Sequence, residues 1–326
     1  MRLAFLSFWL IAALAVAPVA AAQAIFADGF ESGDTSAWSD VVGMRYELGH
    51  RTMTWLDATR GNRSVPTEVY YPAEMAGDDV PMAVGAFPVV VCGHGYTMDA
   101  ASPRSLAEAL VPLGFIVVLP DTETGLFPSH DDFGKDIAFL ARTLQDEGAA
   151  PSSPFFGRVA PLSAASGHSM GGGAAHLAVA DHAASYGVAF ATIATLAAAR
   201  TSPSSITAAA DITVPALYLA DDRDCALQAG GAPSDHYAAV GSSCKTLITI
   251  QDGRHCHYVY PTVLCELGDC ATGIDGDLQR QMVSEYLIPW FEWTLKGRVE
   301  ALVRFNALMA SDPRLHSYQQ LGCTPP

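Results

Sequence analysis

Apolar residues along this 326-residue chain recur in two rhythms. Continuous runs at residues 87–92 (Phe-Pro-Val-Val-Val-Cys), 115–119, 188–196, 216–220 and 247–250, with a further short run leading into Ser169, have the length and composition of strands covered on both faces. Residues 67–71 alternate instead, as a strand that ends at Pro72. Between the runs the spacing changes to three and four. Phe133, Ile137, Leu140 and Leu144 put one apolar stripe on a helix over 132–147. Helices are also expected over 103–113, in the Ala-rich stretch after Gly173, and over 283–295, the last closing the order. Strands alternating with helices predict an α/β domain with a doubly wound, mostly parallel sheet, whose ligands gather at the carboxyl ends of the strands.

The chain opens on Met1-Arg2, an apolar stretch from Leu3 to Ala17, and Ala22-Gln23-Ala24, which has the small-x-small form of a signal-peptidase site. Residues 1–24 therefore read as a removable export signal, and their apolar run is short for a bilayer crossing. Residues 25–45, rich in Gly, Ser and acids and without a period, read as a solvated N-terminal extension. The remainder, 46–326, has the size and hydrophobic content of one large domain. The net charge is −16, or −17 once Arg2 leaves. Such a surface repels phosphate backbones and anionic lipids, so neither nucleic acid nor, after signal cleavage, a membrane is expected as a partner.

Residues 165–173 read Ala-Ser-Gly-His-Ser-Met-Gly-Gly-Gly, a strand-to-helix turn whose small residues at Gly167 and Gly171 let the backbone bend and push Ser169 clear of the sheet. A serine hydroxyl needs a base to take its proton and an acid to orient that base. Hydrolases with such an elbow carry them in the order serine, acid, histidine. The run at 217–220 leads into Asp221-Asp222-Arg223-Asp224, where Asp224 is favoured because a few loop residues are needed to carry a carboxyl across; Asp222 is the alternative and Asp221 a solvated loop acid. The run at 247–250 leads into Asp252-Gly253-Arg254-His255, and His255 is preferred to His257 because it sits nearer the strand end, after the Gly253 turn. His168 reads as a packed elbow residue. Charge developing on a carbonyl oxygen would need two backbone N–H donors: Met170 and, from Gly93-His94-Gly95-Tyr96-Thr97, Tyr96. The plainer alternative for the latter is a glycine turn with Tyr96 packed on its surface.

Seven cysteines in an exported chain point to disulfides with one thiol left over. The triad would draw the loops after Asp224 and before Cys256 together, which suggests a Cys225–Cys256 bridge, with Cys265–Cys270 closing a small loop nearby. Cys244, before its strand, would pair with Cys323 delivered by the final helix, leaving Cys92 free. The cysteines lack paired CxxC units, and His255-Cys256-His257 is too crowded for a tetrahedral site, so neither metal nor cofactor is expected.

Gly93-His94-Gly95-Tyr96-Thr97, the phrase from Gly114 to Val118 leading to Asp121-Thr122-Glu123-Thr124, and Gly167-His168-Ser169-Met170-Gly171-Gly172-Gly173 together resemble bacterial cutinases and polyester hydrolases of the α/β-hydrolase superfamily, with dienelactone-hydrolase-like and chlorophyllase-like esterases as broader relatives. The resemblance spans roughly residues 65–300. It implies a metal-free serine esterase without a large lid, with Ser169, Asp224 and His255 as triad and Tyr96 and Met170 at the oxyanion hole. Residues 198–213 are too few for a multi-helix cap. Two departures stand out. Where those polyester hydrolases carry a Thr-Pro-Trp phrase that holds an aromatic ring, this chain has Thr195-Leu196-Ala197-Ala198-Ala199, and His94 stands where proline is common. The expectation is an exported, monomeric serine carboxylic-ester hydrolase of cutinase type that acts through an acyl-enzyme on short to medium acyl esters or polyesters. The alternatives are a small-ester or lipid acyl hydrolase, a serine peptidase, and a binding protein with a dead triad.

Overall fold

A computed structural model describes residues 45–227 and 231–324. The export signal expected at 1–24 and the extension at 25–45, apart from Arg45, lie outside the described residues. The compact unit is Tyr46–Pro326.

Among the described residues, ten strands form one sheet: β1 (Glu47–Asp57), β2 (Arg63–Ala73), β3 (Gly77–Asp78), β4 (Phe87–Gly93), β5 (Ile116–Pro120), β6 (Val159–His168), β7 (Phe190–Leu196), β8 (Ala216–Asp221), β9 (Lys245–Ile250) and β10 (Leu315–Leu321). Their spatial order is β10-β9-β8-β7-β6-β4-β5-β2-β1-β3. From β5 through β4, β6, β7 and β8 to β9 all neighbours pair in parallel. Every residue of β4, β5 and β8 is buried, which is why those strands show as unbroken apolar runs. The sheet is mixed and mostly parallel, as the alternation of strands and helices implies.

Helices α1 (Arg104–Leu110), α2 (His130–Ala149), α3 (Met170–Leu177), α4 (Ser205–Ala209), α5 (Gly231–Ala239), α6 (Val263–Gly268), α7 (Gly276–Lys296) and α8 (Val299–Ser311) fill the intervals. One core, around Phe115, Trp290, Phe291 and Phe305, gathers residues of α1, α7 and α8. The other, around Phe133, Ile137, Leu144 and Phe155, gathers α2 and α3. Ser129 caps α2 by accepting the Asp132 N–H at 3.1 Å, and Asp131 and Asp132 sit favourably in its first turn. Between β7 and β8 the described residues hold only α4, so no multi-helix cap is inserted at that point.

Four features differ from the sequence reading. Strand β2 continues through Pro72 to Ala73; β5 pairs only with Thr67 to Tyr70, so the missing Pro72 N–H costs no bond on that side. The helix expected over 103–113 ends at Leu110, and Val111–Leu113 tightens around Pro112 into a turn closed by Gly114 at φ 81°. The long helix at 276–296 does not close the order, because α8 and β10 follow. Strands β1 and β10 carry mostly exposed or half-buried side chains, and so lack the apolar rhythm that marks the central strands.

The cysteines pair as Cys225–Cys270, Cys244–Cys323 and Cys256–Cys265. Cys244–Cys323 closes as expected, though the residue is delivered by β10 rather than by the last helix. The expected Cys225–Cys256 and Cys265–Cys270 bridges are wrong. Side chains that meet at Asp224 and His255 do not bring the residues after them together, and α6 folds between, setting Cys265 beside Cys256 and Cys270 beside Cys225 at Cα separations of 5.8 and 5.1 Å. Cys92 is free and buried, and burial pushes its thiol up to about 12. No helix among the described residues is long and apolar enough to cross a membrane.

Candidate active site

Ser169 sits between β6 and α3 with φ 53° and ψ −118°, a conformation that non-glycine residues rarely hold. The turn survives because its neighbours over-determine it. Ser169 N–H donates to Leu196 O at 2.9 Å, while Gly173 and Ala199 N–H donate back to Ser169 O at 3.1 and 2.9 Å. A Cβ on Gly167 would lie 2.3 Å from the Gly171 carbonyl carbon, so the turn closes only on bare backbone.

The structure brings three of the candidate side chains into one row. His255, on the turn His255–Tyr258 after β9, holds Nε2 2.9 Å from Ser169 Oγ and Nδ1 2.9 Å from Asp224 Oδ2. All three are buried, Ser169 at 7 %, His255 at 3 % and Asp224 at 4 % exposure. Such a ring donates Nδ1–H to the carboxylate and offers Nε2 to the hydroxyl proton. The alternatives fall away from the row. His257 Nε2 lies 3.0 Å from both Arg254 Nη1 and Glu266 Oε1, and Asp222 faces His316 at 3.3 Å. Asp221 is not the solvated acid its loop position suggested. It is 1 % exposed, because it ends β8 inside the sheet rather than in the loop.

His168 does more than pack. Its Nε2 donates to the His255 carbonyl oxygen at 2.8 Å, anchoring the backbone that carries the base. Burial first, and then the neighbouring His255, hold its pKa well below the ordinary histidine range, so the ring stays neutral.

The row opens into a cleft of about 410 Å³. Its walls are apolar: Met98, Leu227, Leu126 and Leu264, with Tyr96 at the rim. The turn Gly95 to Met98, closed by Met98 N–H on Gly95 O at 3.1 Å, carries Tyr96, whose hydroxyl donates to Leu126 O at 2.9 Å. Met170 opens α3 directly after Ser169, and Gly171 N–H donates to His94 O at 2.9 Å, so the Tyr96 loop and the elbow are tied backbone to backbone. Ala197 and Ala198 are fully buried and bring no ring to the cleft.

Sequence reasoning noted His94 only as a departure from proline and gave the supports of this site no role. His94 is fully buried, with Nδ1 and Nε2 each 2.8 Å from a carbonyl oxygen, those of Gly95 and Thr122. Thr122 Oγ1 in turn donates to the buried Asp136 at 2.7 Å, which Arg63 and Arg60 also hold. A histidine in an otherwise glycine-rich loop was the available signal. The helix α6 was also missed: it sets exposed Val263, Leu264 and Leu267 beside the cleft, and the bridges to Cys256 and Cys225 fasten its segment to the residues that follow His255 and Asp224.

Asp221, Asp224 and His255 could each offer an atom to a cation, all within 4.8 Å of one another. The His255 Nδ1 position is already taken by its proton to Asp224, so a cation there would break the row rather than serve it.

Residues 46–264 match the family described as PET hydrolase-like, which covers more than half of the chain. No curated protein matches the chain.

Proposed function

The chain belongs to the PET hydrolase-like family and is an ester hydrolase of the α/β-hydrolase type; from that premise we propose that it is a secreted serine carboxylic-ester hydrolase of cutinase type, acting through an acyl-enzyme. The observation that carries this reading is the row Ser169–His255–Asp224 at 2.9 Å and 2.9 Å, standing open to an apolar cleft.

In the proposed reaction His255 Nε2 takes the Ser169 proton as Oγ attacks the ester carbonyl, and Asp224 stabilises the imidazolium that forms. The oxygen of the tetrahedral intermediate turns towards the Tyr96 and Met170 N–H groups, held ready by the Gly171–His94 bond. His255 returns the proton to the leaving alcohol. Water, activated by the same ring, then releases the acyl group and restores Ser169.

Because all of these groups come from one chain, a monomer suffices. Aliphatic walls at Met98, Leu126, Leu227 and Leu264 favour a short to medium acyl chain or an aliphatic polyester. Three disulfides fit an oxidising destination outside the cell.

The test combines a fluorophosphonate probe with turnover of p-nitrophenyl butyrate. Ser169 is expected to be the labelled residue, and Ser169→Ala to lose about 10⁴-fold or more of kcat while keeping its circular dichroism spectrum. His255→Ala should match that loss, whereas His257→Ala should not. A folded Ser169→Ala protein with normal turnover would end this reading.

A further inference from the structure

Behind the row stands a buried group that the proposed reaction leaves unused. Asp221 ends β8 three residues before Asp224, and both of its carboxyl oxygens are buried without a hydrogen-bond partner. It lies within 4.8 Å of Asp224 and of the His255 ring at once. The groups that face it come from every neighbouring element. Asp222 and Asp224 belong to the loop that follows β8, His255 and Tyr258 to the turn after β9, and Asp269 to the segment after α6. The Tyr258 hydroxyl is buried and unpartnered too. Asp269 is engaged elsewhere, accepting Cys256 and Cys270 N–H at 2.9 and 2.8 Å with Arg254 Nε 3.7 Å away.

Two carboxyl groups this close in a buried site do not both ionise; one keeps a proton. Asp224 is the one provided for as an anion, since it accepts from His255 Nδ1 and from the Leu227 N–H. Among the described residues Asp221 receives no N–H donor, and the Tyr258 hydroxyl is the one donor that faces it. Burial, with the Asp224 carboxylate as the next cause, holds the Asp221 carboxyl well above the usual carboxylate range.

We propose that Asp221 and Asp224 form a one-proton carboxyl pair behind His255, in which Asp221 is the protonated positioning partner of Asp224 and can ionise in its place. This rests on reading Ser169, His255 and Asp224 as the triad. A protonated Asp221 can give its O–H to Asp224 and accept from Tyr258, so both orphaned groups are satisfied while a single negative charge remains behind the imidazole. If Asp224 is removed, Asp221 no longer faces an anion. It then ionises within 4.8 Å of the His255 ring.

The test follows kcat/KM for p-nitrophenyl acetate against pH in four proteins: wild type, Asp221→Asn, Asp224→Ala and the double variant. Asn replaces one neutral group by another, so the acid limb of the Asp221→Asn profile should stay where it lies in wild type. Asp224→Ala should retain at least about tenfold more activity than Asp224→Ala/Asp221→Asn, because only the former keeps a carboxyl to ionise. An acid limb moved down by about half a unit or more in Asp221→Asn would mean that Asp221 is ionised at rest, and overturns the pair. Equal activity in Asp224→Ala and the double variant overturns the substitution of one acid by the other. The Asp221→Asn profile decides the matter alone should Asp224→Ala fail to fold. Failure of fluorophosphonate to label Ser169 would instead strike the triad itself, and the two failures are thereby separate.

Discussion

The backbone of Gly171 lies against that of Gly93: a Cβ added to Gly171 would stand 2.3 Å from the Gly93 carbonyl carbon and oxygen. The elbow and the loop that carries Tyr96 are thus locked in one register, reinforced by the Gly171 N–H on His94 O. Neither side can yield, because both are backbone.

Gly171→Ala should therefore separate the two N–H groups proposed to receive the oxyanion. A displacement of a few tenths of an ångström to one ångström in a preorganised site costs up to about 100-fold in rate. The expected outcome is a kcat for p-nitrophenyl butyrate lowered by about that factor, with KM little changed and Tm lowered by a few degrees. Unaltered kcat in the variant would show that the close approach has no part in aligning the site.

The three disulfides should divide between stability and catalysis. In the chain-entropy account, closing the 79-residue separation of Cys244–Cys323 constrains the unfolded chain by about 4–5 kcal/mol, and the 9-residue separation of Cys256–Cys265 by about 2–3 kcal/mol. The first bridge pins the edge strand β10; the second joins the residue after His255 to a residue lining the cleft. Replacing Cys244 and Cys323 by Ser should lower Tm most and leave kcat/KM nearly intact. Replacing Cys256 and Cys265 should lower Tm less and kcat/KM more. Calorimetry beside ester turnover reads both, and peptide mapping without reduction checks the pairing.

How far the sequence could be read follows the physics of each element. The central strands β4, β5 and β8 are buried on both faces, so their apolar runs were visible. Strands β1 and β10 join the sheet through backbone bonds that any side chain allows, and left no trace. The side chains that meet at Ser169 were nameable because a strand end, a glycine turn and the order of acid and histidine mark them locally. The disulfide partners depend on how α6 folds back between two loops, a long-range fact with no local sign. Asp221 was misread for a related reason. Its burial is set by where β8 stops, one residue later than the apolar run suggests.

Acid should release a clasp at the end of β1. Burial opposes ionisation of Asp57, but hydrogen bonds from Thr59, Tyr186 and Arg60 outweigh it and hold its carboxyl down to about 2. A carboxylate whose folded pKa is depressed contributes stability above its unfolded value, and that contribution is lost as pH falls through the folded one. The window here is from about pH 4 down to pH 2. Wild type should lose Tm steeply across it. Asp57→Asn should start lower at neutral pH and fall less, so that the two curves converge near pH 2; parallel curves would show that the clasp does not titrate.

Substrate choice should follow the walls of the cleft. Leu126 and Leu264 are 64 % and 59 % exposed and flank it, with Phe127, Val263 and Leu267 still more exposed beside them, while Ala197 and Ala198 supply no ring from the stretch after β7. Exposed apolar side chains around an uncapped site can meet the surface of an insoluble ester, and the net charge of −16 directs that contact to an uncharged surface rather than an anionic one. Release of soluble product from polycaprolactone film should therefore exceed that from poly(ethylene terephthalate) film. Leu264→Asp should cut release from polycaprolactone by about tenfold while leaving turnover of p-nitrophenyl acetate within about twofold, because one lost apolar contact of this size is worth one to a few kcal/mol and the small ester does not reach it. Good turnover of short soluble esters with no release from either film would make the protein a small-ester carboxylesterase, and a Leu264→Asp loss equal on film and on the soluble ester would place Leu264 in the fold of the cleft rather than in the grip on its substrate.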